Sequence, residues 1–185
     1  MYNLAEEIKK ALDFAVKAHG DQRYGPHPYK FHLLSALSVG FEFGVTEPKV
    51  LIALALHDTI EDTEATHNEL DQEFGVDVAD LVHRVSNEQG RNRKARSLAT
   101  YPKIAPFPSA RLVKLADRIA NTRNCWIEVQ DRDANKRNKS KLGMYRKEYG
   151  GFRKALRPAY LDDGGWRGPE ALMWNELDRL MAWED

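Results

Sequence analysis

Apolar positions along this chain recur every three to four residues, the period of a helix with one buried face. Leu4, Ile8, Ala11, Leu12, Ala15, Val16 and His19 mark residues 3–19 as a first helix. Asp21 to Pro28, with Gly20, Gly25, Pro26 and Pro28, reads as a loop. Further helices are predicted over 29–40 and 47–61, the second capped by Thr46 with Pro48 in its first turn. Thr66-His67-Asn68-Glu69 is a capping-box pattern that opens a short helix stopping near Gly75, and 76–86 is helical again. Residues 87–108 are polar and basic, then interrupted by proline, and read as a long loop or irregular helix. Ser109 to Arg123 is strongly helical. Two more helices are predicted over 140–157 and 168–183, divided by Asp162-Asp163-Gly164-Gly165. No alternating strand pattern of useful length, repeat or linker interrupts them. The expectation is an all-α helical bundle, one domain over residues 1–185.

Composition changes this picture little. The chain's 185 residues are enough for one domain with a real core. Lys and Arg balance Asp and Glu at 28 each, so global charge points to neither nucleic acid nor an anionic membrane. No apolar run approaches the roughly 20 residues of a membrane span. The first residues, Met1-Tyr2-Asn3-Leu4-Ala5-Glu6-Glu7, are polar and acidic rather than signal-like. Cys125 is the sole cysteine, which leaves no disulfide framework or cysteine-based zinc site. A cytoplasmic location is the default expectation.

The chemistry concentrates in His57-Asp58-Thr59-Ile60-Glu61-Asp62-Thr63, which closes the apolar stretch Val50–Leu56. On a continuous helix Glu61 stands one turn beyond His57, and Asp62 one turn beyond Asp58. With Glu64, four acids fall in the seven residues 58–64. They sit at the predicted C-terminal end of a helix, where the macrodipole disfavours negative charge. Like charges at helical spacing cost roughly a few tenths of a kcal/mol per pair more. Such a segment calls for a cation, and a histidine beside an aspartate favours a metal.

Two further positions carry the same chemistry. On the helix 109–123, Lys114, Asp117 and Asn121 form a polar line among Leu112, Val113, Leu115, Ala116, Ile119 and Ala120. An aspartate in that setting needs a partner, and an internal salt bridge to Arg118 or Lys114 serves as well as a metal. His32 interrupts the apolar face of Phe31, Leu33, Leu34, Ala36 and Leu37, where a hydrogen-bonded core histidine is the plainer reading. Glu61 and Asp62 alone read more simply as a solvated helix end. Taken together, two histidines and two aspartates on three predicted helices can surround one octahedral metal with open positions.

These residues, in this order, resemble the HD-domain hydrolases. The likeness is to the hydrolase domain of RelA/SpoT proteins and the stand-alone small alarmone hydrolases related to metazoan SpoT homologs. It runs over about residues 8–124, with 125–185 as a helical C-terminal extension. Its pieces are Ala18-His19, Gln22-Arg23, Pro28-Tyr29, His32, Ala53 to Thr63, Phe74-Gly75 and Val113 to Arg123. A bare His-Asp pair is a weak signal. The full His-Asp-x-x-Glu-Asp-Thr, with an upstream histidine and a downstream Lys-Leu-Ala-Asp-Arg-x-x-Asn, separates this subfamily from generic HD phosphatases.

The resemblance implies a Mn²⁺-dependent pyrophosphohydrolase acting on the 3′-diphosphate of ppGpp or pppGpp. His32, His57, Asp58 and Asp117 fall on the family's metal ligands, and Glu61 and Asp62 on its acidic catalytic pair. Arg23 and Asn121 match family positions that meet the nucleotide. The basic run Arg91-Asn92-Arg93-Lys94-Ala95-Arg96 offers further phosphate contacts, with Arg93 and Lys94 as the candidates. Tyr145 and Tyr149 are placed to wall the nucleoside or to pack in the core, and Trp126, Trp166, Trp174 and Trp183 are assigned to core or interface. The chain departs from the family where Tyr24 and Gly25 replace a usual Lys and Ser, where Leu33 replaces a proline after His32, and at His27. Tyr24 can stack on a purine but offers no charge to a phosphate, so weaker dependence on 5′-phosphates is expected. Adenosine alarmones and NADPH therefore stay open as substrates, as do a homodimer, an antitoxin role opposite an alarmone-making toxin, and a non-catalytic alarmone-binding module. The absence of synthetase, TGS and ACT portions favours a stand-alone hydrolase, and retention of both Glu61 and Asp62 favours catalysis.

Overall fold

The computed structural model describes residues 3–129, 135–162 and 168–182, and gives no side-chain account of 128–129 or 135–140. Helix α1 (Leu4–His19) leads through a short hairpin, β1 (Arg23–Tyr24) and β2 (His27–Pro28), into α2 (Lys30–Glu42). Then come α3 (Pro48–Leu56), α4 (Thr59–Asp62), α5 (His67–Phe74), α6 (Val76–Val85), α7 (Arg93–Ile104) and α8 (Pro108–Val129). Helix α9 (Asn135–Leu156), a 3-10 turn at Ala159–Leu161 and α10 (Pro169–Ala182) complete the all-α bundle. Asn3 caps α1 through its side chain, and Thr66 and Glu69 form the expected capping box on α5. Among the described residues no helix is long and apolar enough to cross a membrane.

The core is built around α3 and α8. Every residue from Val50 to Leu56 is buried, so α3 is enclosed on all sides, by α1, α2, α6 and α8. Gly40 on α2 permits one of those contacts, because a Cβ there would meet Leu54 Cδ1 at 2.6 Å. Helix α8 packs against α2, α3, α6, α9 and α10. One apolar cluster runs from Ile8 to Leu180 and includes Trp174, while Trp126 packs at its edge. Trp166 and Trp183 lie outside the described residues. A buried ion pair fastens the C-terminal helix: Arg111 Nε and Nη2 donate to Glu170 at 2.5 and 3.0 Å.

Three expectations are revised. The predicted helix 47–61 breaks after Leu56, and His57 and Asp58 form a turn before α4. Thr59 Oγ1 donates to the Leu56 carbonyl at 2.7 Å, so the side chain satisfies a helix-end acceptor that continued helix would have used. Asp58 therefore sits on the turn, and Glu61 and Asp62 on the single-turn helix α4, rather than all on one helix end. The span 87–108 contains a regular helix, α7, because Asn92 caps it by accepting from Ala95 N at 2.9 Å. Pro102 lies in its last turn, where the missing N–H removes only one bond. The loop over Asp21–Pro28 pairs as a minimal antiparallel hairpin, with Tyr24 opposite His27.

Candidate active site and metal centre

The broken helix determines the geometry of the site. His57, at the end of α3, points its Nε2 at the Nε2 of His32 on α2, 3.1 Å away. Asp58 Oδ2 lies 3.3 Å from His32 Nε2 and 3.2 Å from His57 Nε2. From α8, Asp117 Oδ1 lies 3.4 and 3.8 Å from the same two nitrogens. Donor atoms of His32, His57 and Asp117 all fall within 4.8 Å of one another. His57 Nδ1 bonds the Leu54 carbonyl at 2.9 Å, which leaves the Nε2 lone pair facing the cluster. Two imidazole nitrogens and two carboxylates converging at these distances form the donor set of a divalent metal, so the residues fit such an ion.

Electrostatics reflects the same crowding. Burial pulls the His32 imidazolium down, but Asp117 and Asp58 outweigh it and push its pKa up to about 9. His57 is raised in the same way, by Asp58 and Asp117 against burial. Burial pushes the Asp58 and Asp117 carboxyls up, and their cationic neighbours hold both below the usual range: the two histidines for Asp58, Lys114 first for Asp117. Lys114 Nζ stands 3.3 Å from Asp117 Oδ2. The salt bridge weighed for Asp117 is therefore made to Lys114, while Arg118 turns to Glu148 at 3.6 Å.

A layer of polar contacts fixes the acids beside the cluster. Glu61 accepts from Asn87 through both oxygens, from the backbone N at 3.0 Å and from Nδ2 at 2.8 Å. Asp62 Oδ2 accepts from Tyr29 at 3.1 Å and from Gln22 at 3.2 Å. The Tyr29 hydroxyl also donates to Asp58 Oδ2 at 2.5 Å, so one phenol bridges the metal cluster and the acidic pair. Its ring stacks on His19 at 4.1 Å. Pro28-Tyr29 belongs to the resemblance, yet a tyrosine between loop and helix gives no sign of that bridge in sequence. Asn87, hidden in a stretch read as loop, was likewise missed.

All of this opens onto a cavity of about 360 Å³. His32, Asp58, Glu61, Asp62 and Asp117 line it, together with Arg23, Tyr24, Asn121 and Arg93. Tyr145, weighed as a wall for the nucleoside, and Arg96, from the basic run, line it as well, with Lys114, Arg118, Lys141, Ser97 and Tyr101, which the sequence did not single out as facing a substrate. Arg23 donates to the Pro26 carbonyl, and Arg93 Nε pairs with Glu148 at 2.7 Å. Tyr24 is only 8% exposed, stacked on His32 at 4.7 Å, with Lys141 Nζ 5.1 Å from its ring centroid. Its hydroxyl donates to Asn121 Oδ1 at 2.8 Å, and Asn121 Nδ2 donates to Asp117. Tyr24 therefore braces His32 and Asn121, and little of its face is left for a purine. Two named residues lie outside the cavity. Lys94 faces a separate cleft between α7 and α9, and the Tyr149 hydroxyl donates to Asp178 on α10. On α7, Lys94 follows Arg93 by one position and so points to a different side of the helix.

With this geometry the comparisons agree. The chain belongs to the HD-domain family, whose model matches residues 11–146. The guanosine-3′,5′-bis(diphosphate) 3′-pyrophosphohydrolase of Aquifex aeolicus is 38% identical over 132 residues, covering 66% of this chain and 18% of that protein. Human MESH1, which carries the same enzyme name, is 36% identical over 127 residues, 65% of this chain and 70% of that protein. The chain thus spans under a fifth of the Aquifex protein and about 70% of the human one. In fold it is similar to a solved metazoan ortholog of SpoT, with a TM-score of 0.73 and 24% identity over 98% of both chains. A Listeria monocytogenes protein gives 0.65 at 21% identity, over 82% of this chain and 97% of that one.

Proposed function

We propose that this chain is a Mn²⁺-dependent hydrolase of guanosine alarmones that converts ppGpp or pppGpp to GDP or GTP and pyrophosphate. The observation that carries the reading is the juxtaposition, at one cavity, of Glu61 and Asp62 with His32, Asp58 and Asp117, which His57 backs from behind the lining. The names of the Aquifex and human relatives support the substrate. The lining supports a highly charged ligand: six lysines and arginines face four carboxylates among the described residues. A divalent ion held by the cluster would lower the pKa of a water and offset charge developing on phosphoryl oxygens.

The chain's own residues then have distinct tasks. In the overall reaction the water oxygen bonds to the phosphorus next to ribose O3′, the P–O3′ bond breaks, and O3′ gains a proton. Glu61 and Asp62 are the acid-base pair for that proton, held in place by Asn87 on one side and by Tyr29 and Gln22 on the other. Lys114, Arg118, Arg93 and Arg96 face the diphosphate. Arg23 and Asn121 bind the nucleotide, with Asn121 fixed by Tyr24.

The test is turnover with Mn²⁺ against ppGpp, pppGpp, ppApp and NADPH, with pyrophosphate and phosphate assayed separately. Pyrophosphate release from the guanosine substrates is the expected result. Turnover of NADPH alone, with phosphate as product, would replace the proposal by a nucleotide phosphatase. Tyr24, a neutral ring at a position where the family resemblance implies a lysine, keeps the adenosine substrates in the panel. No turnover of any of them would leave a binding module.

A further inference from the structure

A second cleft, of about 500 Å³, adjoins the candidate active site on the far side of Glu61. Glu61, Asn87 and Arg96 line both spaces, so the Glu61–Asn87 pair is the partition between them. Ile60, His83, Ser86 and the loop 88–92 also line the second cleft. Arg91, Arg96 and Lys103 supply positive charge here, and Glu61 and Glu88 negative charge. Glu88 is matched by Lys103 at 2.6 Å, and the same lysine donates to the carbonyls of His83 and Ser86 at 3.2 and 3.3 Å. Glu61 is tied to Asn87. Among the described residues neither the Arg91 nor the Arg96 side chain has an ion pair or hydrogen bond. Two guanidinium groups are thus left over in a cleft whose other charges are engaged.

The loop is shaped to hold them there. Gly90 lies against the first turn of α7, where a Cβ would meet the Arg96 backbone N at 2.9 Å, so the loop closes only with glycine. This brings Arg91 to the same mouth as Arg96 and the positive end of α7. Guanidinium groups match the oxygens of phosphates in paired hydrogen bonds.

We infer that this cleft is a second anion site, for a diphosphate or polyphosphate group, working with the metal-centred cavity. In naming its ligand the inference rests on the proposed alarmone hydrolysis. Two sources share that chemistry: the pyrophosphate formed in the reaction, and the 5′-phosphates of the bound nucleotide. Arg96, facing both spaces, is the route by which either one reaches the cleft.

Arg91 lines only the second cleft and is exposed, so Arg91→Glu tests the site without touching the residues of the first. Inorganic pyrophosphate is titrated calorimetrically into Mn²⁺-loaded wild type and variant. Affinity is expected to fall about tenfold or more in the variant, the loss of one charge-assisted contact, and about half as far on a logarithmic scale in Arg91→Ala. This arm needs no turnover and stands even if the alarmone reading fails. Kinetic constants for guanosine substrates with two and three 5′-phosphates then separate the sources. A rise in KM that grows with each 5′-phosphate assigns the cleft to the nucleotide. An unchanged KM and single-turnover rate, with a raised inhibition constant for pyrophosphate, assigns it to the product. Superimposable titrations together with unchanged KM values and unchanged product inhibition would overturn the inference.

Discussion

Tyr29→Phe removes a single oxygen, and the structure allows its effect to be worked out in advance. That hydroxyl donates to Asp58 at 2.5 Å and to Asp62 at 3.1 Å. Burial first, and then Asp58, push the phenol far above its ordinary pKa, so it remains a donor throughout any practical assay range. The ring keeps its stack on His19 at 4.1 Å and its edge contact with His32 at 5.7 Å, so phenylalanine preserves the packing. The loss is therefore one hydrogen bond to a charged group, worth about 1.5–3 kcal/mol. Asp58 retains 15% of its side-chain surface at the cavity, where water can replace part of that bond. The lower end, about 1.5 kcal/mol, is the better figure and corresponds to roughly tenfold. It should appear as about a tenfold fall in kcat/KM, with weaker metal binding because Asp58 is no longer held, and with a fall of about 3–6 °C in the melting temperature of the metal-free protein. The assay is steady-state kinetics at saturating Mn²⁺ together with a metal titration on the same protein. A variant within twofold of wild type in both would show that the bridge through Tyr29 does not position the site.

Three further outcomes follow from the same geometry. Mn²⁺ added to EDTA-stripped protein at a hundred times its Kd should stabilise it by about 2.7 kcal/mol, a rise of roughly 5–10 °C in melting temperature for a chain of this size, and Asp117→Ala should abolish the rise; an equal rise in the variant places the metal elsewhere. Glu61→Gln and Asp62→Asn should each cut turnover by about a hundredfold or more while keeping that thermal gain, and near-normal rates in both would make the pair structural. The metal-free protein should lose stability as pH rises, because the His32 contribution is complete below its unfolded value of 6.5 and is gone above about 9. Asp58 and Asp117, held low, lose theirs as pH falls through and below 3.8. Mn²⁺ competes with the histidine proton, so its thermal gain should be larger at pH 8.5 than at pH 6.5, and differential scanning fluorimetry across that range would expose a pH-independent gain.

Much of the centre was legible because its logic is local. The acids at 58–64 destabilise any helix that carries them, and Asp117 and His32 interrupt apolar faces; the fold partners Asp58 and Asp117 with His32 on another helix, and Glu61 with Asn87 in the loop after α6. The break at His57-Asp58 was not legible, because periodicity carries straight through it and only the Thr59 hydroxyl bond reveals where helix gives way to turn. Helix α7 was hidden for the opposite reason. Arg91 to Arg96 shows no apolar stripe, and Pro102 looks like an interruption, yet Asn92 starts the helix and Thr100, Tyr101 and Ile104 bury its far end.

The same contrast explains why the cationic lining of the cavity was less legible than the histidine–aspartate cluster. Metal ligands must satisfy fixed chemistry at short range, so their residue types betray them. Residues facing phosphate are ordinary lysines and arginines, and a solvated helix face has the same composition. What separates Arg93 from Lys94 is one residue of helical rotation: Arg93 lines the cavity and pairs with Glu148 of α9 at 2.7 Å, while Lys94 lines only the cleft between α7 and α9. Arg118 meets the same Glu148 at 3.6 Å, beneath the ring of Tyr145 at 4.7 Å. Glu148, Tyr145 and Lys141 all belong to α9, beyond the end of the recognisable motif at Arg123. The helix that looked like an appendix in sequence therefore lines the cavity, and its Glu148 pairs with Arg93 on α7 and with Arg118 on the motif-bearing α8.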